Sequence, residues 1–301
     1  MVKTGIGVSV IRKEAWEKVT GQAKYSDDFI SNGILSVCMV TSTYAHAEIK
    51  NIKTDEAAAL SGVKAILTGS DFSILCGPLI EDRPPLAREK VRYYGEPIAL
   101  VVADSEFTAS KAAALIQVEY SPLTVINSPS EALNKNAPIL HEQMILYHLT
   151  NQDIYPELST NVCDRKKVRK GDIESGFADS DIILESTFKL PQSDHIAMET
   201  RAVHARIDAD GTVFIKTSSQ APFSVKKIIS RIFNIDQGKI IVEVPFVGGG
   251  FGGKASIQLE ILAYIASKAV GGKEVKMINS RENDIVSSPC RMGLEASIKL
   301  G

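Results

Sequence analysis

The chain is 301 residues long, with 44% hydrophobic and 23% charged residues, which describes two globular domains with sizeable cores. A net charge of −2 argues against general electrostatic binding to nucleic acid or to an anionic membrane. No apolar run is long enough to cross a bilayer and Met1-Val2-Lys3-Thr4-Gly5 carries no apolar signal core, so the expectation is a cytoplasmic protein.

Residues 1–17 read as an N-terminal arm ending in a short helical turn, with Trp16, the only tryptophan, as a packing anchor. Residues 18–125 form a first module of mixed strands and short helices. Its predicted strands are Ile34 to Val40, Ala45 to Ile52 and Val63 to Leu67, with a short helix over Thr54 to Leu60. Gly77-Pro78 and Pro84-Pro85 mark residues 72–88 as an irregular loop. Ile98 to Val102 is apolar throughout, as a central strand is. The alanine-rich helix from Ser105 to Leu115 and the strand Gln117 to Tyr120 complete a predicted β–α–β unit.

Residues 126–165, broken by Ser128-Pro129-Ser130 and Asn136-Ala137-Pro138, read as a connector lying against the surface. A second module, 166–301, starts with Asp172 capping a short helix through Phe177, and continues with an alternating strand from Ile182 to Leu190. Val203 to Ile207 and Val213 to Thr217 form a hairpin around Ala209-Asp210-Gly211. Pro222 opens a helix with Ile228, Ile229, Ile232 and Phe233 on one face. A second β–α–β follows: strand Lys239 to Phe246, a glycine-rich loop, a helix from Ala255 to Val270, and strand Glu274 to Ile278. In that helix Ile257, Ile261, Ile265 and Ala269 recur every four residues, so one face should meet the sheet. The class is α+β.

Cys38, Cys76, Cys163 and Cys290 are far apart and the five histidines are scattered, so neither set spells a zinc or iron–sulfur site. The chemistry concentrates in Val247-Gly248-Gly249-Gly250-Phe251-Gly252-Gly253-Lys254. At the mouth of a helix, such a loop offers unpaired N–H groups to an anion. Gly248-x-Gly250-x-x-Gly253 fits a dinucleotide fingerprint locally, with Glu274 at the spacing of the ribose-binding acid but at the start of its strand instead of the end. The same residues approach a phosphate-binding P-loop, but Ala255 stands where a hydroxyl should hold magnesium.

A third reading draws on stretches that recur together. They include Glu17-Lys18-Val19-Thr20-Gly21-Gln22-Ala23-Lys24-Tyr25, Ala45-His46-Ala47, Tyr93-Tyr94-Gly95-Glu96-Pro97 and Arg169-Lys170-Gly171-Asp172. Later come Pro191-Gln192 with His195 and Met198-Glu199-Thr200, then Ser218-Ser219-Gln220-Ala221-Pro222, the glycine loop, and Ser280-Arg281-Glu282 with Asp284. In this order the set resembles the molybdopterin-binding subunits of the xanthine dehydrogenase and aldehyde oxidase family, nearly end to end.

The resemblance implies an α/β hammerhead domain over 18–125 and the first of two molybdopterin-binding domains over 166–301. It implies a molybdenum–molybdopterin cofactor held by its own dithiolene, with Gln220 as an amide donor to it. Gly250, Phe251 and Gly252 present backbone N–H groups toward the cofactor, and a backbone contact to the molybdenum oxo ligand falls at Phe251. Partners implied are the remaining molybdopterin-binding domain or subunit, a 2Fe-2S subunit and an FAD subunit. Members continue for several hundred residues more, and the glutamate acting as general base lies in that part. No catalytic residue is therefore expected within these 301 residues, and the chain alone is expected to be inactive. Members oxidising purines carry a substrate-contacting glutamate where Ala255 stands, and an active-site glutamine of some members aligns with Ser193, beside Gln192. Purine, nicotinate-like and aldehyde substrates all stay open. His195 and Glu199 suit either acid–base or structural roles, and Lys254 either a carboxylate partner or solvent. The alternative is a non-catalytic assembly module that docks onto the other subunits.

Overall fold

A computed structural model describes residues 5–301, so the first four residues of the predicted arm lie outside the described residues. The architecture is mixed α and β, organised on a seven-stranded sheet. Its strands run, edge to edge, Ile240–Glu243, Val213–Thr217, Ala202–Ile207, Val275–Ile278, Leu35–Thr41, Pro97–Ala103 and Val63–Thr68. The sheet unites the two modules at one seam, where Leu35–Thr41 pairs in parallel with Val275–Ile278 through Leu35↔Val275 and Val37↔Met277.

Every residue of Pro97–Ala103 is buried. Period-two alternation sends Leu100 and Val102 into the large core with Leu262, while Ala99 and Val101 join Ala57 and Ala112 on the other face. The helix Glu106–Leu115 packs on that second face, started by Ser105, whose Oγ accepts the Thr108 N–H at 3.1 Å.

The predicted first β–α–β unit does not close within one sheet. Gln117–Pro122 pairs with Ala47–Lys53 in a separate three-stranded sheet. Its alternating exposure explains the difference: a strand with one polar face belongs in a half-solvated antiparallel sheet, not beside a fully buried strand. The second unit does form. Its two strands run parallel but are separated by the hairpin Ala202–Ile207 and Val213–Thr217, whose register starts at Val203↔Thr217.

The long helix departs from expectation twice. It spans Leu259–Ala269, not Ala255 onward, because Gly253–Ala255 forms a separate 3-10 turn. Glu260 sets the true start: it accepts the Gln258 N–H at 3.2 Å and the Thr217 hydroxyl at 2.7 Å. The helix is also buried from Leu259 through Ser267 on every side, and Ala269 is exposed. Its second buried side faces the first module, where Pro84, Tyr93 and Pro97 lie across from Ile257, Ile261 and Leu262. The preceding strand is likewise shorter than predicted, Ile240–Glu243, and Phe246 makes an isolated bridge to Tyr25. Trp16 is not a packing anchor. It is 70% exposed on a five-residue helix, Ala15–Val19, that buries nothing.

Residues 126–165 are tied to the first module. His148–Leu149 pairs with Ile80–Glu81, and Arg92 Nε donates to the Leu140 carbonyl at 2.8 Å. The segment 24–31 straps the polar face of the sheet. The His204 ring, 3% exposed, donates from Nε2 to the Ser26 carbonyl at 2.9 Å, and its Nδ1 faces Glu274 at 3.5 Å. Burial holds the imidazole below its ordinary 6.5, against the pull of Ser26 and Glu274. The unfolded imidazole therefore takes its proton at higher pH than the folded one, and stability falls as pH drops below 6.5. Urea midpoints measured on either side of that value should show a loss at low pH that is smaller in His204→Gln. An equal loss in both proteins would contradict it.

Candidate functional site

Two side chains clamp the glycine loop from opposite sides. Glu199 Oε2 accepts the Gly248 N–H at 2.7 Å and the Lys254 ammonium at 2.7 Å. Lys254 is 4% exposed, so a carboxylate partner, not solvent, is its role. Burial pulls the Lys254 ammonium below its ordinary 10.5, and the Glu199 contact pushes the other way. On the other side, Gln220 Oε1 accepts the Gly252 N–H at 3.0 Å and the Lys254 N–H at 3.2 Å. The Gln220 N–H in turn donates to the Lys254 carbonyl at 2.9 Å, which locks loop and strand end together.

Gly250 must lack a side chain, since a Cβ there would sit 2.4 Å from Gln220 Oε1. Gly252 takes φ +92°, and Phe251 between them holds φ +53° while 75% exposed. A bulky residue in the left-handed region is a strained exception, held here by the clamps around it. The amides of Gly249, Gly250 and Phe251 have no acceptor among the described residues. The loop tip thus presents unshielded donors beside an exposed aromatic ring, with the Gln220 side-chain amide nitrogen, Nε2, also lacking an acceptor among the described residues.

The helix-mouth reading of this loop is corrected by the same geometry. The long helix starts at Leu259, and the Gly252 amide, expected to face a ligand, is already taken by Gln220. Glu274, spaced as a ribose-binding acid, instead accepts from Ser31 at 2.8 Å. Ala255 is exposed and its N–H donates to the Gly252 carbonyl at 3.2 Å. His195 packs against Gly253, where a Cβ would lie 2.6 Å from its Nδ1, and it forms no hydrogen bond with Glu199. Ser193 is exposed and bridges to Arg291 through the backbone.

A brace beneath the loop is not visible in the sequence. Arg201 Nη2 donates to the Gly253 carbonyl, and Nη1 to Asp284 Oδ1 at 3.1 Å. Asp284, 2% exposed, also accepts from the Arg201 backbone N–H and from Asn279. Arg201 and Asp284 are 83 positions apart; the recurring motifs contain Asp284 but give it no role. Among the described residues, no group of three or more His, Cys, Asp or Glu side chains is placed to hold a metal ion. No helix among them is long and apolar enough to cross a membrane.

Gln220→Ala should remove the acceptor of two loop amides while leaving the fold intact. The expected loss is about 1 kcal/mol of local stability, or roughly fivefold faster hydrogen exchange at Gly252 and Lys254. Unchanged exchange at both amides would show that Gln220 does not hold the loop.

Known proteins resemble this chain along nearly its whole length. Residues 20–124 match the family model "aldehyde oxidase and xanthine dehydrogenase, a/b hammerhead domain", and residues 154–301 match "molybdopterin cofactor-binding domain". The chain is 36% identical over 296 residues to a probable xanthine dehydrogenase subunit of Bacillus subtilis (strain 168), covering 97% of this chain and 37% of the relative. The solved structure of reconstituted CO dehydrogenase from Oligotropha carboxidovorans matches with TM-score 0.86 and 28% identity, over 99% of this chain and 38% of that one. Quinoline 2-oxidoreductase from Pseudomonas putida 86 matches with TM-score 0.84 and 29% identity, over 98% and 37%. The chain therefore spans little more than a third of the length of each of these relatives.

Proposed function

Because the chain belongs to the aldehyde oxidase and xanthine dehydrogenase family, we propose that it forms the cofactor-facing front part of a cytoplasmic molybdenum hydroxylase. Its hammerhead and first molybdopterin-binding domains complete a site together with the polypeptide that makes up the rest of the relatives' length. When bound, the molybdenum–pterin group supplies the redox centre at which a carbon is hydroxylated with oxygen derived from water. The chain's own residues bind and orient. Gly250 and Phe251 offer backbone donors, Gln220 offers its side-chain amide N–H, and Phe251 forms a wall of the pocket.

The observation that carries this reading is the strained, clamped loop tip: unshielded amides of Gly249, Gly250 and Phe251 held rigid by Gln220 and Glu199. Such an arrangement fits an electron-rich group lacking side-chain ligands, because its donors are backbone dipoles fixed before binding. Gly252 supports the tip through its bond to Gln220. The substrate class we propose is an N-heterocycle or an aldehyde. Ala255, short and exposed, leaves that edge of the site without an acid to grip a purine. A 2Fe-2S subunit and an FAD subunit carry the electrons away.

The test is turnover by the assembly formed on co-expressing the chain with the unmatched remainder of the Bacillus subtilis relative, using a dye as electron acceptor. Hypoxanthine, nicotinate, quinoline and benzaldehyde are offered in labelled water. Label in a hydroxylated product supports the proposal. Absence of turnover on all four substrates, or label coming only from dioxygen, would refute it.

A further inference from the structure

A cavity lies on the seam between the two modules, and no residue of the glycine loop lines it. Pro85 and Pro97 wall it from the first module, and Ile261 and Leu262 from the long helix of the second. Its space is about 40 Å³. One water needs about 10–15 Å³ of such space, so roughly three or four non-hydrogen atoms fit. A purine, a quinoline or an aromatic aldehyde is too large, which separates this cavity from the substrates proposed above.

The polar groups on the wall decide the chemistry. The Gln258 side chain is oriented by its nitrogen, since Nε2 donates to the Ser287 carbonyl at 2.6 Å. Its Oε1 is then an acceptor, buried and without a donor among the described residues. A buried acceptor left unpaired is costly, so a donor belongs there. Tyr93 brings the complementary group. Burial raises its phenol above the ordinary 10, so the hydroxyl stays protonated and donates. Glu96, 3% exposed, also lines the cavity; its Oε2 accepts the Arg92 N–H at 2.5 Å, and burial lifts the carboxyl above its ordinary 4.5. Arg92 and Arg83 both act on Glu96 in the opposite direction, so its charge is already matched and a further cation has no counter-charge to meet. The Cys76 thiol donates to the Arg83 carbonyl at 3.2 Å, and burial pushes it up to about 11, so it stays a thiol and not a nucleophile.

We propose that this cavity binds a compact uncharged amide the size of acetamide, whose N–H donates to Gln258 Oε1 while its carbonyl accepts from the Tyr93 hydroxyl. The apolar walls take the methyl group. The cavity also reaches the glycine loop. Pro289 lines it, the Pro289 carbonyl accepts from Arg201 Nη2 at 3.4 Å, and that same nitrogen holds the Gly253 carbonyl. A filled cavity therefore steadies the brace, and the site acts as an effector site for the loop.

The test titrates the full chain with acetamide and, separately, with acetone, which has the same shape and lacks the N–H group. Binding is followed by NMR at the Gln258 side-chain amide. Acetamide should bind saturably with Kd on the order of 1–10 mM, and acetone at least about fivefold more weakly. Tyr93→Phe should weaken acetamide by about fivefold, and Gln258→Met should erase the preference over acetone. Hydrogen exchange at Gly253 should slow when acetamide saturates the chain. No saturable shift at ten times the expected Kd would mean that the cavity holds water only and would overturn the proposal. Equal binding of acetone, or a preference that survives Gln258→Met, would overturn it as well. Saturation with exchange at Gly253 unchanged would overturn the link to the loop.

Discussion

Glu199→Ala is expected to lower the unfolding free energy by about 3–5 kcal/mol, the cost of stranding a buried charge by removing its partner. The Lys254 side chain is 3% exposed and that of Glu199 12%, so solvent cannot replace the lost carboxylate. The Gly248 amide loses its acceptor at the same stroke. Chemical denaturation measures the loss. The companion Glu199→Ala, Lys254→Met should cost less than Glu199→Ala alone, because it removes the stranded ammonium as well. A loss below about 1 kcal/mol in the single variant would mean that the pair is solvated and that the loop is not clamped there.

Asp284→Asn keeps the shape of the side chain and removes the counter-charge of Arg201. The expected loss is again about 3–5 kcal/mol, or a fall in Tm on the order of 10 °C for a chain of this size. Arg201 also holds the Gly253 carbonyl, so the variant should raise hydrogen exchange across the glycine loop, far in sequence from the substitution. A lower Tm without change in the loop would show that the brace stabilises the core but does not order the site. Asp284 accepts from two side chains besides that of Arg201, Asn279 and Ser288, so the effect should exceed that of removing Asn279 alone.

Much of this was legible in the residues, and the failures have physical causes. The hairpin around Asp210-Gly211, the helix started by Pro222 and the cap at Asp172 follow from local rules, and each forms where it is expected. The wholly apolar Ile98 to Val102 announces a central strand because only burial on both faces tolerates it. What failed was non-local. Gln117–Pro122 has a clear strand pattern, but which sheet it joins depends on a partner, Ala47–Lys53, some 70 positions earlier. The start of the long helix depends on Thr217 meeting Glu260, again across the fold. At the site, the glycine loop was visible at once, and the recurring motifs singled out Gln220 and Glu199. Their actual work, clamping the loop through Oε1 and Oε2, needed coordinates. Arg201 carries no local signal, because its partners lie 52 and 83 positions away. The alternation of Ile182 to Leu190 predicts a strand; that its partner is Leu294–Leu300, far on in the chain, shows only in the fold.

The central claim is that the tip formed by Gly249, Gly250 and Phe251 faces a molybdenum–pterin cofactor, and elemental analysis tests it most directly. The chain and the unmatched remainder of the Bacillus subtilis relative are co-expressed in a host that makes the cofactor, the complex is purified, and molybdenum is measured per complex. The account predicts about one molybdenum per complex, and loss of most of it in Gly250→Val, whose added carbons collide with Gln220 and displace the donors, while sedimentation shows the complex still formed. A well-formed complex without stoichiometric molybdenum, or one in which Gly250→Val retains the metal in full, would contradict it.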